Sequence, residues 1–355
     1  MPKSPAMGTG VVDSKETGRA RRPSVSIVFL VYNRRDELRT SLRQMLFECD
    51  YDSDRLDVIV VDNASTDGSA AMVREEFPQV RVIVRDHNSG VSGWNDGFAI
   101  ATGDYVLAVD DDCYLPGDGL RRAVAAAEDR AADLVSFGIT SSQDPEYRFN
   151  EMYRTGLLSF WGCAVLIRRD ALNAIGGYDP EIFVWANELE FMFRFFDRGF
   201  RHLHLPELTA VHMKQIRRPG TPPYLTSKAY RYNARHFAYI AAKLMRRRDA
   251  IEALVALMVG HVRDGLREEP TALRALPHCI AGFAHGLRHR DPVVNPEVSR
   301  TYRRHFHSFA SPWWFSRALH QYLPWSRSGD TTRRAKKYFT DRTRYYPTGA
   351  GMLEF

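Results

Sequence analysis

The chain has 355 residues, of which 44% are hydrophobic and 26% charged, and it carries a formal net charge of +6. That composition supports a large core, and the length exceeds one small domain, so a main domain of roughly 200 residues with an appended part is expected. Cys49, Cys113, Cys163 and Cys279 are widely scattered, which argues against a disulfide framework or a cysteine-ligated metal and predicts a reducing, cytoplasmic setting.

Residues 1–23 are polar and lack the apolar stretch of a signal peptide; they read as a disordered leader. Short β-branched runs follow at 25–31 (VSIVFLV), 57–61 (DVIVV), 80–84 (VRVIV) and 105–109 (YVLAV), each predicting a buried strand. Helical patterns separate them at 35–46, 68–77 and 91–101. This alternation predicts an α/β fold with a mostly parallel sheet. In such sheets ligands bind beyond the carboxyl ends of the strands. The four polar loops YNRRDE, DNASTDGS, HNSGVSGWNDG and DDDCYLP are therefore expected to converge on one edge.

Further along, LVSFGI and CAVLIRRDAL extend the sheet, IGGYDP (175–180) is a glycine-rich turn, and NELEFMFRFFDRGF (187–200) is a helix with a glycine stop. RHLHLPELTAVHM reads as a strand pair broken by Pro206. From about Thr226 three helices are expected, and residues 301–355 form a basic, aromatic tail with weak periodicity. The expected organisation is thus a catalytic domain at 24–225, a helical region at 226–300 and the tail. No uninterrupted apolar run of about 18 residues offers a transmembrane helix.

The chemistry concentrates on Asp110, Asp111 and Asp112, at the end of a buried strand. Adjacent carboxylates repel and are costly to bury, so the cluster calls for a metal, a basic partner or solvent. Strand alternation puts Asp110 and Asp112 on one side, where two carboxylates suit Mg²⁺ or Mn²⁺. His212, ending LTAVH, is a candidate third ligand. Each has a plainer reading, as a solvated acidic turn or a structural histidine.

The order of FLVYNRRDELRTSL, VIVVDNASTDGS, NSGVSGWNDGFAIATGDYVLAVDDD, GGYDPEIF, NELEFMFRFFDRGF and HLPELTAVH resembles the family 2 glycosyltransferases over roughly residues 25–240. The likeness runs toward their rhamnosyl- and galactofuranosyl-type branch. It implies a GT-A nucleotide-diphospho-sugar transferase fold with an α-helical C-terminal extension, an inverting reaction, a nucleotide-sugar donor and Mg²⁺ or Mn²⁺. It makes Asp62 the residue that reads a pyrimidine base (UDP or dTDP), Tyr32 and Asn33 the wall of the nucleotide, and Asn88 a contact near base and ribose. Asn95, Asp110 and Asp111 join the donor site, and Gly90 and Gly93 allow close backbone approach. Asp110, Asp112 and His212 become the metal set.

Family enzymes place acids just before a helix where this chain has WANELEFMFR. Glu190 and Arg194, four residues apart, form a helix ion pair, leaving Glu188 as the general base. Trp161, Phe183 and Trp185 are candidates for stacking on acceptor sugars. The acceptor is a glycan, a lipid-linked sugar or a small natural product. LVALMVGHVRDGL and SPWWFSRALHQYLPWSR suit peripheral contact with the cytoplasmic face of a membrane. The basic tail also admits a nucleic-acid-binding reading, and the fold a nucleotidyltransferase or a non-catalytic binder. The strand-end acids speak against nucleic acid, and none is expected as a partner.

Overall fold

A computed structural model describes residues 22–148, 159–213, 227–267, 270–310 and 351–353. Strands β1 (Val25–Val31), β2 (Leu56–Asp62), β3 (Arg81–Val84) and β4 (Tyr105–Asp110) alternate with helices α1 (Arg35–Phe47), α2 (Ser69–Glu76) and α3 (Trp94–Ile100). β1 is parallel to both β2 and β4, and β2 to β3. Their carboxyl ends therefore share one edge, as the loop chemistry required.

The chain continues through β5 (Cys113–Tyr114), α4 (Gly119–Asp129), β6 (Leu134–Ser141), β7 (Asp144–Arg148), β8 (Ala164–Arg168), α5 (Arg169–Ile175), α6 (Asn187–Asp197) and β9 (His202–His212). With β10 (Gly351–Leu353), the sheet runs β10-β9-β6-β8-β4-β1-β2-β3, β5 pairing with β9 and β7 with β6. β8 is antiparallel to β4 and β6, whereas β9 is parallel to β6. The sheet is parallel from β4 to β3 and mixed beyond β4.

Strand alternation divides the apolar residues between two cores. Ile27, Phe29 and Val31 of β1 and Leu107 and Val109 of β4 face the core closed by Leu38, Leu42 and Met45 of α1. Val28, Val106 and Ala108 face the opposite core. There Phe191, Met192, Phe193, Phe195 and Phe196 of α6 are all fully buried. A helix apolar on this many sides is held by packing; each such side chain contributes about 1.5–3 kcal/mol.

The C-terminal helices α7 (Ser227–Leu244), α8 (Arg247–Arg267), α9 (Leu276–Arg288) and α10 (Pro296–Ala310) cover that same core. Gly282 and Gly286 press α9 onto α7 so closely that an added Cβ would stand 2.0 Å from the Arg235 carbonyl oxygen and 2.4 Å from that of Tyr239.

Three expectations change. The run around Pro206 is one strand, not a pair: opposite β6 its register shifts between Phe137 and Gly138, so a bulge at 206–208 absorbs the proline. The helix expected at 91–101 opens with a 3₁₀ turn, Gly90–Gly93, before α3. α10 crosses residue 300 into the expected tail, because Val298 and Tyr302 recur at i,i+4 and Tyr302 stacks on Phe193 with ring centres 3.6 Å apart. The leader up to residue 21 and the segment SPWWFSRALHQYLPWSR lie outside the described residues.

α6 is locked to α7 by charge as well as packing. The fully buried Glu190 accepts hydrogen bonds from Arg194 Nε (2.9 Å) and Lys243 Nζ (2.9 Å). Lys243 also donates to Asp179 (2.6 Å), which accepts from the Tyr239 hydroxyl at 2.8 Å. Arg194 reaches back to the carbonyls of Ile175 and Gly177. Two carboxylates thus meet two cations, and removing one cation leaves buried charge uncompensated. Lys243→Met is expected to destabilise the fold by roughly 3 kcal/mol, the low end for breaking a buried pair, read as a lower urea midpoint.

Candidate active site

The site is built from loops at the carboxyl edge. β4 delivers Asp110, and the chain turns at once through Asp111 and Asp112 into β5. β5 pairs with β9 so that Cys113 stands opposite His212. Asp110, Asp112 and His212 consequently offer ligand atoms all within 4.8 Å of one another, and His212 Nε2 lies 3.5 Å from Asp112 Oδ1.

Asp111 faces elsewhere, accepting from the Tyr32 N–H (3.4 Å) and from Arg34 (3.0 Å). Arg34 also donates to Asp112 Oδ2 at 2.6 Å. It is the cation that the aspartate cluster demanded and that the motif assignments passed over, though YNRRDE displayed it. Burial disfavours the Arg34 cation, but Asp111 and Asp112 outweigh this and push its pKa up. Burial, with Asp112 and Asp111 adding to it, drives the Asp110 pKa well above the carboxylate range; burial pushes Asp111 up to about 7 against the pull of Arg34.

A divalent ion fits the remaining donors. Two carboxylates from the run after β4 and one imidazole from the end of β9 converge, and one guanidinium against three carboxylates leaves the cluster short of positive charge. Oxygen and imidazole donors together suit Mn²⁺, and Mg²⁺ through the carboxylates.

Glu188 sits in the first turn of α6, after Trp185 and Ala186, which both hold left-handed backbone at φ 61° and 63°. Non-glycine backbone is strained there, and the surrounding packing must impose the conformation. The carboxylate lies on Gly162, whose N–H hydrogen-bonds it and where an added Cβ would stand 2.2 Å from Oε1. Cys163, the next residue, accepts the Asp110 N–H at 2.9 Å, so Glu188 and Asp110 flank the same strand entry. Burial raises the Glu188 pKa to about 7, opposed by the backbone N–H groups of Glu188 and Gly162. Gly162 carried no local signal, because its partner is 26 residues away in the chain.

The expected donor residues prove largely occupied with one another. Asn33, at φ 54°, accepts from the Thr66 N–H (2.7 Å) and donates its own N–H to Ser65 Oγ (2.9 Å), joining the loops after β1 and β2. Asp62 is buried, and its Oδ1 accepts the Ser65 N–H at 2.7 Å. Asn88 Oδ1 accepts from Asn63 Nδ2 (2.9 Å) and the Gly90 N–H (2.8 Å). Asn63, which the motif assignment omitted, centres this loop pair, also reaching the Gly90 carbonyl and the Ser89 N–H.

Asn95 grips the backbone of Tyr178 from both ends, each bond 2.8 Å. The close approach at Gly90 comes from within the protein: an added Cβ would stand 1.9 Å from the Phe183 carbonyl oxygen, and at Gly93 2.6 Å from Leu30 Cδ1. Tyr32 is exposed at the cluster's edge. Among the acceptor candidates, Trp185 is exposed and meets Tyr232 edge-on, Phe183 stacks on Tyr232, and Trp161 packs partly buried against the sheet core.

Residues 26–196 match the family model for glycosyl transferase family 2. A beta-monoglucosyldiacylglycerol synthase of Synechocystis sp. is 30% identical over 162 residues, 39% of this chain and 33% of the relative. The match thus spans about a third of that relative's length. Among solved structures, the mannosyltransferase PcManGT of Pyrobaculum calidifontis, in complex with GDP-Man and Mn²⁺, superposes with a TM-score of 0.51 at 21% identity, covering 92% of this chain and 84% of that one. TarS 1-349 of S. aureus, in complex with UDP-GlcNAc, also gives 0.51, at 16% identity over 79% and 92% of the two chains. At such identities the likeness is one of fold.

If Asp110, Asp112 and His212 form one cation site, Mn²⁺ titrated into the chelator-stripped protein binds with micromolar or tighter affinity. Asp112→Asn is expected to abolish binding and His212→Ala to weaken it about tenfold or more, since even a lost outer-shell partner of a metal costs about 10–100-fold, measured calorimetrically.

Proposed function

We propose that this chain, which carries a glycosyl transferase family 2 domain at residues 26–196, moves a sugar from a nucleotide-diphosphate donor to an acceptor hydroxyl with inversion at the anomeric carbon. The observation that carries this reading is that Glu188 lies close enough to Asp110 to act on it electrostatically, beside the Asp110, Asp112 and His212 set at the carboxyl edge of the sheet. One group there can take a proton while the others manage the charge of a leaving diphosphate.

Glu188 acts as general base. Its pKa of about 7 matches the task of accepting a proton near neutral pH. The deprotonated hydroxyl attacks from the face opposite the leaving group through an oxocarbenium-like state. One displacement suffices, so no covalent enzyme intermediate forms. Arg34 brings a guanidinium to the same edge, within reach of anionic groups. A divalent ion held by Asp110, Asp112 and His212 would supply Lewis-acid compensation for the charge on the departing diphosphate.

Asp62 is assigned the base, its second carboxylate oxygen accepting a ring N–H of uracil or thymine. Tyr32, Asn33, Asn88 and Gly90 shape the nucleotide wall, and Asn95 supports it by holding Tyr178 in place. The aromatic group of Trp185, Phe183 and Tyr232 is assigned to the acceptor.

The acceptor is proposed to be presented at a membrane surface. No helix among the described residues is long and apolar enough to cross a bilayer. Yet Ile251, Val255, Val262 and Leu266 of α8 are all exposed and fall within an arc of about 60° on the helix. Arg246, Arg247 and Arg248 stand at the start of that helix, the combination an interfacial helix uses. Co-sedimentation with anionic vesicles is expected, and it should fall to the level of neutral vesicles in Ile251→Ser/Val255→Ser. Equal retention of the variant would remove the membrane from this reading.

The deciding experiment pairs nucleotide titration with turnover. UDP or dTDP is expected to bind in Mn²⁺ and not in excess chelator; preference for GDP would overturn the role given to Asp62. Glu188→Gln should retain nucleotide affinity and lose roughly 10²–10⁴-fold in kcat. Because the base works deprotonated, wild-type kcat should rise with pH and level off above about 7. A fully active Glu188→Gln enzyme with an unaltered pH profile would refute the assignment.

A further inference from the structure

A second cluster of ligating side chains stands apart from the strand-end site. His285 and His289 lie four residues apart at the end of α9, so they share a face; their ring centres are 4.6 Å apart. Opposite them is Glu181, from the loop leading into α6, whose Oε2 is 2.6 Å from His285 Nε2. One ligand atom from each of the three lies within 4.8 Å of the other two.

We propose that Glu181, His285 and His289 form a binding site for Zn²⁺, or a comparable late first-row divalent ion, that clamps α9 to the loop before α6. Two imidazoles and one carboxylate are the donor set such ions favour, with water completing the shell at the half-exposed side. This differs from the carboxylate-dominated strand-end site, which suits harder ions.

The surroundings hold the donors in place. Tyr239 packs against both imidazoles, with ring centres 5.4 Å from His285 and 6.3 Å from His289. Its hydroxyl donates to Asp179, whose other oxygen accepts the Glu181 N–H at 2.9 Å. The neighbouring cation, Lys243, is turned to Asp179 and Glu190, and so does not neutralise Glu181. Gly286 lets α9 close on α7, which brings His285 to this wall.

The clamped loop is the one that touches the candidate active site. Two residues beyond Glu181, the Phe183 carbonyl accepts the Val91 N–H at 2.9 Å, and Glu188 follows five residues later. An ion at Glu181 would restrain that loop from a position outside the catalytic groups.

The test is titration of Zn²⁺ into the metal-stripped full chain, with Co²⁺ followed in parallel by visible absorption. Wild type and His212→Ala, whose substitution lies in the other site, should both bind Zn²⁺ and give the intense ligand-field absorption of low-coordinate Co²⁺. Made in the His212→Ala background, so that the strand-end site does not compete, His289→Ala, at an exposed position, should lose that absorption and bind Zn²⁺ about tenfold or more weakly, with an unchanged thermal melt in chelator. Glu181→Gln provides the same comparison from the loop side. Absorption absent from the wild type, or unchanged in both His289→Ala and Glu181→Gln, would overturn the proposal. Because none of these readouts involves turnover, their failure leaves the transferase reading to its own test.

Discussion

Like charge at the end of β4 is the constraint around which the molecule is organised. Asp110, Asp111 and Asp112 follow a strand whose preceding residues are buried, and carboxylates so placed repel unless cations reach them. Arg34 comes from the end of β1 and His212 from the end of β9, two strands that never pair with each other. The short β5 exists at this junction: it turns the chain out of the aspartates and docks it on β9, bringing imidazole to carboxylate. The two antiparallel steps through β8 cancel, so β9 runs in the same direction as β4 and its end carries His212 to the same edge.

Glu188 depends on a different balance. It follows, one residue on, two residues in left-handed backbone, a conformation that costs energy and must be imposed by the surroundings. α6 can impose it because four phenylalanines and a methionine bury it and because Glu190, Arg194, Lys243 and Asp179 bind it to its neighbours. The helical C-terminal region therefore bears on the helix that carries Glu188. Its α7 supplies Lys243, and α6 is anchored through that residue.

Much of this was legible because it is local. Runs such as VSIVFLV and YVLAV carry the two-residue alternation that divides a strand between two cores, and the loops between them are too polar to be anything but edges. The aspartate cluster announced a need for positive charge. Glu190 and Arg194 announced their pairing by spacing alone. Legibility failed where the deciding partner is distant. Gly90 and Gly93 invite close approach, but the sequence does not say that Phe183 and Leu30 do the approaching. Asn95 has the chemistry of a ligand contact, whereas its amide is spent on Tyr178. Gly162 is one glycine among 24 until Glu188 lies against it. Pro206 looks like a strand break because a proline removes a ladder donor, and only the register opposite β6 reveals a bulge that tolerates it.

The sequence by itself determined the alternating architecture, the edge at which polar loops gather and the residue types gathered there, since backbone period and charge repulsion act over a few residues. Tertiary structure alone decided which side chains meet: Arg34 with Asp112, His212 with Asp112, Glu188 with Gly162, Glu181 with His285. Each of those pairs joins stretches that the chain brings together only by closing the sheet and packing helices on it. Contact chemistry is set by distance in space, and distance in space is not written in any short run of residues.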